Sequence, residues 1–377
     1  GILAKTKHNE VAPCQHELAP IFGTTNLATD HNQLTMEMMK KVAKRHNLIC
    51  LLHEKPFEGV NGSGKHNNWA MSTSDGENLL EPGKSPKDNT QFLLFLAAVI
   101  KAVDEYADLL RVSVSSAGND HRLGANEAPP AIISMFLGEE IDRVIDAILE
   151  NKKLKNSSGN RFQTGVSVIS DFAKDNTDRN RTSPFAFTGN KFEFRGVGSS
   201  QSIATVNTML NSILAIEMQK MSEAIEAGST PMDVIKCFMK EHRRIIFSGD
   251  GYSEAWEKEA LARGLSNKKN SVDAFDVLKN KTMTDMLIDL GIYSQVEIDS
   301  RHEVLLEGYC KTIQVEALTA LKMAQSQIYP ATIKSLKNIS ETANSLSNNG
   351  VDNAFLVDDI NTLSKLISDY LTTDSLW

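Results

Sequence analysis

The segment Gly189-Asn190-Lys191-Phe192-Glu193-Phe194-Arg195 establishes the architecture of the first half of this chain. Its residues alternate, so that on a strand Lys191, Glu193 and Arg195 share one face and the two phenylalanines share the other. The aromatic face predicts a buried side. The charged face predicts either a solvated sheet surface or the floor of a site for metal and anionic groups, because an arginine fork bonds two oxygens at once.

Strand-like and helical segments follow one another irregularly over residues 1–200, which is typical of an α+β fold and not of a regular βαβ array. We predict a curved antiparallel sheet backed by helices in this region. Further predicted strands are Leu48–Leu52 and Arg111–Ser115, and the predicted helices are Asp30–His46, Asn89–Leu110 and Glu139–Asn151. From about Gln201 a 3.6-residue apolar period predicts a mainly helical region, so we expect two domains, residues 1–200 and 201–377.

Composition limits the classes of function. The 377 residues carry a net charge of −8 with scattered lysines and arginines, so no basic stripe predicts nucleic-acid binding. The apolar stretch Phe92–Val103 carries Lys101 and is too short to cross a bilayer, so we expect no membrane span. Four widely spaced cysteines indicate a reducing cytoplasm and predict no zinc site. Because the sequence opens at Gly1 without a methionine, we expect the downstream piece of a longer chain.

The first segment with candidate chemistry is Lys7-His8-Asn9-Glu10-Val11-Ala12-Pro13-Cys14-Gln15-His16-Glu17. On an unbroken strand Glu10 and Glu17 would point to opposite faces. Pro13 between them predicts a turn or bulge that brings both carboxylates to one side, as a hard divalent cation requires. Two solvated glutamates on an edge strand are the alternative.

The second segment is Gly59-Val60-Asn61-Gly62-Ser63-Gly64-Lys65-His66-Asn67-Asn68-Trp69, which nearly matches the phosphate loop G-x-x-x-x-G-K-[ST]. The match fails at His66, where that loop needs a hydroxyl for Mg²⁺, and the following residues alternate like a strand. We therefore predict a glycine-rich turn and a strand that presents His66 and Asn68 on one face. A hydrogen-bonded core histidine is the alternative for His66.

Two loops supply further charged groups. The segment Asp120–Pro130 predicts a mobile loop that carries Glu127, which is either a surface residue or a proton acceptor near a substrate amine. The segment Asp178–Pro184 contains Arg181. Taken together, the carboxylates, the histidine and the cations predict two divalent metals that clamp a phosphoryl group, held on short strands of one sheet.

These segments resemble the catalytic-domain motifs of glutamine synthetases and follow the family's order. The matching residues are Asn9-Glu10-Val11-Ala12-Pro13, Asn61-Gly62-Ser63-Gly64, Arg122 with Asn126-Glu127-Ala128-Pro129, Asn180-Arg181 and Glu193-x-Arg195. The type III class is the most similar one in the residues of Lys65–Trp69 and Asn119–Ala125 and in its long helical second half. The resemblance implies the family's fold and an ATP-dependent glutamate–ammonia ligase with a γ-glutamyl phosphate intermediate. It also implies two Mg²⁺ or Mn²⁺ ions per site and a ring-shaped homo-oligomer.

The resemblance implies a role for each matching residue. The implied metal ligands are Glu10 and Glu17 on the ammonia and glutamate side, and His66 and Glu193 on the ATP side. The residues implied to bind glutamate are Asn61, Gly62, Arg122 and Arg195, and those implied to contact ATP are Asn68, Arg181 and Lys191. Arg181 and Arg195 would neutralise charge on the phosphoryl group, and Glu127 would close a flap over the intermediate.

Some features depart from the family pattern. Cys14 stands where relatives often carry glycine, Asn68 replaces a histidine, and Ala186 replaces an arginine. The upstream β-grasp domain and its Glu-x-Glu metal ligands have no counterpart, so we expect this chain alone to hold an incomplete site. Two alternatives stay open: a related γ-glutamyl ligase that uses another amine, and a catalytically incomplete piece that serves only assembly.

Overall fold

The structure, a computed structural model, describes residues 1–123, 131–152, 161–162, 172–173 and 183–374. The chain forms two compact units, Gly1–Leu306 and Glu307–Trp377. The predicted domain boundary near residue 200 falls inside the first unit and stays a prediction.

The first unit mixes strands and helices, which confirms the predicted α+β class. Its strands are β1 (Ala4–Asn9), β2 (His16–Pro20), β3 (Lys65–Trp69), β4 (Met135–Phe136), β5 (Arg161–Phe162), β6 (Phe172–Ala173), β7 (Phe185–Phe187) and β8 (Phe192–Val197). Its helices are α1 (Thr25–Arg45), α2 (Thr90–Glu105), α3 (Ala107–Ser113), α4 (Ala117–Asp120), α5 (Glu139–Leu149), α6 (Ala204–Glu226), α7 (Pro231–Glu241), α8 (Glu254–Ala262), α9 (Ser271–Phe275), α10 (Lys281–Asp289) and the first part of α11 (Gln295–Met323).

A four-stranded sheet with the order β3-β8-β7-β4 forms the centre of this unit. The β3–β8 and β8–β7 pairs are antiparallel, as predicted, whereas β4 and β7 run parallel at the edge. Gly189, with a φ of 93°, forms the turn between β7 and β8. The other strands pair as β1 with β2 and β5 with β6.

Helices α2 and α6 cover the aromatic face of the sheet. Phe192 and Phe194 are fully buried, and Phe92 of α2 packs against Phe187 of β7 with ring centroids 5.8 Å apart. Each buried phenylalanine contributes roughly 2 kcal/mol of hydrophobic free energy. The predicted alternation over Lys191–Arg195 is confirmed, and it orients the charged face away from this core.

Two predicted strands are wrong. The first three residues of Arg111–Ser115 end α3, and the polar Arg111 and Ser113 are buried along with Val112, so the segment has no exposed strand face. Leu48–Leu52 forms no strand, and Ile49 is 86% exposed, so no described neighbour holds this segment extended. The predicted helices at Asp30–His46 and Glu139–Asn151 are confirmed as α1 and α5, and the one at Asn89–Leu110 divides at Tyr106.

The second unit is helical, as predicted. It contains the end of α11, a π-helical turn at Ala324–Ile328, α12 (Tyr329–Asn348) and α13 (Ala354–Asp374). Pro330 does not interrupt the continuous helical segment from α11 to α12. The π-helical turn directly before it accommodates the lack of an N–H donor on proline. Tyr329 and Tyr370 stack with ring centroids 5.8 Å apart. Among the described helices, none combines the length and apolarity that a bilayer span requires.

Candidate active site

The β1–β2 hairpin brings the two carboxylates of the first segment together. The N–H of Glu10 donates to the carbonyl of Gln15 at 3.0 Å, and Cys14 adopts a φ of 57° in the turn between them. In the resulting register His8 stands opposite Glu17. The predicted turn near Pro13 and the convergence of Glu10 and Glu17 are therefore confirmed.

His8 joins this pair of carboxylates, although the sequence analysis did not select it. Its Nε2 atom lies 3.0 Å from Oε1 of Glu10 and 2.8 Å from Oε2 of Glu17. One potential ligand atom from each residue lies within 4.8 Å of the others. One imidazole and two carboxylates at this spacing fit a divalent cation such as Mn²⁺ or Mg²⁺. His8 could have been identified from its spacing to Glu10, because residues two positions apart on a strand share one face.

The charged face of the main sheet holds a second cluster. Nδ1 of His66 lies 2.8 Å from Oε1 of Glu193. Arg195 donates from Nε and Nη2 to Oε2 of Glu193, at 3.0 and 2.9 Å, and from Nη1 to the carbonyl of Ser183 at 3.2 Å. Burial alone would raise the pKa of Glu193, but the hydrogen bonds and charges of His66 and Arg195 outweigh it and lower the pKa to about 2. Glu193 is therefore a carboxylate anion.

The register of β3 explains this arrangement. Asn68 stands directly opposite Glu193, and a bulge between Lys65 and Asn67 shifts the strand. Asn67 and Trp69 point the other way, where they donate to two asparagines of α6, Asn207 and Asn211. The predicted division of β3 into two faces is confirmed. Lys191 lies half-buried directly before β8, and its role stays a prediction.

Arg122 contacts the main chain of this cluster. It is 3% exposed and donates from Nη2 to the carbonyl of Arg195 at 2.8 Å and from Nη1 to Oδ1 of Asn119 at 2.6 Å. Burial lowers the pKa of Arg122, and the charges of Glu54 and Tyr252 raise it.

The glycine-rich loop between β1–β2 and β3 is held by close packing. A Cβ atom on Gly62 would lie 1.9 Å from the carbonyl oxygen of Glu54, so no other residue fits the observed backbone. The N–H of Ser63 donates to the same oxygen at 3.0 Å. Asn61 is exposed at the start of this turn.

The predicted residues do not all lie on strands of one sheet, and that expectation was wrong. Glu10 and Glu17 belong to the separate β1–β2 hairpin, and Arg122 follows α4. The hairpin is linked to the rest of the site by Gln15, whose side-chain amide donates to the Glu54 carbonyl at 3.1 Å. Glu127 and Arg181 lie outside the described residues. Glu54 was missed, because no motif contains it.

Two domain models of known proteins match parts of this chain. Residues 1–134 match the model of the glutamine synthetase catalytic domain, and residues 230–347 match that of the glutamine synthetase C-terminal domain. The chain belongs to the glutamine synthetase family.

Within the family, the chain is similar to type III members. It is 48% identical over 353 residues to the type-3 glutamine synthetase of Dictyostelium discoideum, covering 92% of this chain and 48% of that protein. It is 49% identical over 355 residues to a glutamine synthetase of Butyrivibrio fibrisolvens, covering 90% of this chain and 49% of that protein. The chain thus spans about half the length of the curated relatives it matches. Among solved structures, GmaS without ligand aligns with a TM-score of 0.48 at 16% identity, covering 83% of this chain and 56% of that chain.

Proposed function

We propose that this chain carries active-site residues of an ATP-dependent glutamate–ammonia ligase. One observation supports this most directly: a continuous series of contacts joins the motif residues in space. The series runs from the hairpin through Gln15 to Glu54, and then through Arg122, Arg195 and Glu193 to His66.

Two groups of side chains would hold divalent cations, Mg²⁺ or Mn²⁺. His8, Glu10 and Glu17 would hold one, and His66 and Glu193 the other. The carboxylate oxygens of these groups suit both metals. Such ions, when bound, offset the negative charge of the ATP phosphates and orient them for transfer.

The remaining predicted residues would bind the substrates. Arg122 and the Asn61-Gly62 turn would hold glutamate, while Asn68, Arg181 and Lys191 would hold ATP. Arg195 binds the carboxylate of Glu193 through Nε and Nη2. It would also contact the transferred phosphoryl group.

The reaction would proceed in two steps. A γ-carboxylate oxygen of glutamate attacks the γ-phosphorus of ATP, which releases ADP and leaves an acyl phosphate with a good leaving group. Ammonium gives up a proton to a carboxylate at its entry. The ammonia nitrogen then attacks the acyl carbon, the C–N bond forms, the C–O bond breaks, and phosphate departs with the second proton that the new amide nitrogen loses. Glu127 would keep water from the intermediate.

A homo-oligomer in the cytoplasm is part of this proposal. Apolar side chains of α1 stand exposed, Leu34 by 52% and Val42 by 42%, and self-association would cover such a face. The four cysteines are unpaired, which agrees with a reducing compartment.

A γ-glutamyl hydroxamate assay tests the proposal. The full-length protein is incubated with glutamate, ATP, hydroxylamine and Mg²⁺ or Mn²⁺, with parallel reactions that contain ammonium or a polyamine. We expect metal-dependent hydroxamate, and glutamine with an equimolar amount of phosphate from ammonium. If product forms only in the reaction that contains the polyamine, the protein is a different amine ligase. If no amine gives a product, the proposal is contradicted. Aspartate in place of glutamate is the matched control, which we expect to react poorly.

A further inference from the structure

The buried carboxylate of Glu54 lies beside the candidate active site and belongs to none of the predicted motifs. Glu54 is 7% exposed and lies in the loop between α1 and β3. Its Oε1 atom accepts a hydrogen bond from the main-chain N–H of Ser199 and lies 4.0 Å from Nε of Arg122. A carboxylate buried to this extent needs a partner of opposite charge, and Arg122 supplies it.

Within the described residues, the hydrogen bonds of Arg122 use three of the five N–H groups of its guanidinium. Of the five N–H groups, two on Nη1 donate to Asn119 and to the carbonyl of Gly196, and one on Nη2 donates to the carbonyl of Arg195. Nε makes no hydrogen bond within the described part of the chain. Nε faces the Glu54 carboxylate at 4.0 Å, and Nη2 keeps a further N–H that can bind an oxygen.

Gly64 lies between Arg122 and His66. A Cβ atom on Gly64 would lie 3.6 Å from Nη2 of Arg122 and 2.9 Å from Nε2 of His66. Because glycine has no side chain, a ligand oxygen can approach between the guanidinium and the imidazole.

The main chain of Glu54 also joins two parts of the site. Its carbonyl accepts from the N–H of Ser63 at 3.0 Å and from the side-chain amide of Gln15 at 3.1 Å. Glu54 therefore connects the glycine-rich loop to the hairpin that carries Glu10 and Glu17.

The charge of Glu54 also offsets the burial of neighbouring cations. Burial lowers the pKa of Arg122 and lowers that of Lys65 to about 8, and in both cases the Glu54 carboxylate acts in the opposite direction. Without this anion, Arg122 would be a buried cation held mainly by neutral oxygens.

We propose that Glu54 is a positioning residue for the acid substrate: its carboxylate faces Nε of Arg122 and holds the guanidinium with Nη2 beside Gly64. This inference rests on the proposed function, in which the acid substrate is glutamate. Glu54 acts through Arg122 and does not itself contact the substrate.

Kinetics of Glu54→Gln in the full-length protein test this role. Glutamine keeps the shape and an acceptor for the Ser199 N–H but removes the charge. We expect KM for glutamate to rise about tenfold, as for the loss of one well-placed ionic contact. KM for ATP should stay within about twofold, and Glu54→Asp should restore part of the glutamate affinity.

Asp104→Asn is the matched control. Asp104 is a 5% exposed carboxylate on α2 that pairs with His242 and Arg244 and contacts none of the predicted site residues that the structure describes. Its loss should lower the melting temperature and leave both KM values unchanged. Equal changes in the two KM values of Glu54→Gln, or a loss of melting temperature alone, would overturn the inference.

A double-variant cycle separates this inference from the proposed function. If the unaltered protein forms no hydroxamate, the proposed function fails, but the melting temperatures of Glu54→Gln, Arg122→Gln and the double variant can still be compared. We expect the double variant to melt no lower than the less stable single variant, because Glu54 acts through Arg122. Additive losses would overturn the positioning role.

Discussion

Nδ1 of His66 lies 2.8 Å from Oε1 of Glu193, although the β3–β8 register places Asn68 and not His66 opposite Glu193. The contact is therefore diagonal across the strand pair, within the reach of long side chains on one face. The two residues were each implied as metal ligands, and in the structure they contact each other directly. A cation bound by both would replace this hydrogen bond.

The two predicted metal sites should respond differently to loss of a carboxylate. Glu193→Ala should lower the free energy of unfolding by about 3 kcal/mol, because Arg195, 2% exposed, loses its ionic partner. Glu10→Ala removes a carboxylate whose pair with the exposed His8 contributes at most about 1 kcal/mol. Both variants should lose hydroxamate formation. Denaturant titration and the activity assay measure the two effects, and an equally stable Glu193→Ala would contradict the pairing with Arg195.

His8 should contribute to metal affinity. We expect His8→Ala to weaken binding of Mn²⁺ about tenfold, because a three-residue ligand set loses its imidazole. His16 is the matched control: it is exposed on β2, bonds to Asn9 at 2.9 Å, and lies outside the cluster. Calorimetric titration with Mn²⁺ alone compares the variants. Equal affinity of His8→Ala and His16→Ala would exclude His8 as a ligand.

Gly62→Ala should disturb the glycine-rich loop. The added methyl would lie 1.9 Å from the Glu54 carbonyl, so the loop must move, and we expect a loss of about 2 kcal/mol in unfolding free energy. Gly118→Ala, in α4 with nothing within 4 Å of the added atom, should change stability by no more than about 0.5 kcal/mol. Thermal unfolding of both proteins measures the difference. A neutral Gly62→Ala would show that the loop does not hold this backbone in solution.

An ionic cluster away from the site should make the free energy of unfolding depend on pH in the acidic range. The carboxylate of Glu105 bonds to Lys101 and, at 3.1 Å, to Lys220. Burial would raise its pKa, but hydrogen bonds to Lys101, Glu217 and Lys220 outweigh this and lower the pKa from 4.5 to about 2. Because the unfolded state binds the proton more readily, this stabilisation is present above about pH 4.5 and disappears as pH falls towards 2.

The free energy of unfolding should therefore fall between pH 5 and pH 2 by about 2 kcal/mol less in Glu105→Gln than in the unaltered protein. Denaturant titrations at several pH values measure this slope. Glu303→Gln, on an exposed position of α11, is the control and should leave the slope unchanged. The same slope in Glu105→Gln and the unaltered protein would show that Glu105 is not the titrating group.

Local patterns predicted several parts of the site correctly. The alternation around Glu193 and His66 was sufficient to assign faces, because side chains on a strand point alternately to opposite sides. Pro13 was sufficient to predict the turn that joins Glu10 and Glu17, because proline interrupts an extended strand. The strand predicted at Arg111–Ser115 failed because its alternation of polar residues and valines suggested one exposed face, whereas tertiary packing buries Arg111, Ser113 and Ser115 as well.

The sequence by itself determined the α+β class, the main helices, the charged strand face and the motifs that resemble glutamine synthetases, because these depend on periodicity and on residues close along the chain. Only the tertiary structure decided that the hairpin forms a separate sheet, that β4 pairs parallel to β7, and that Glu54 reaches Arg122 and Ser199. These contacts join distant segments, and their free energy comes from burying paired charges and backbone groups, which no local pattern of residues encodes.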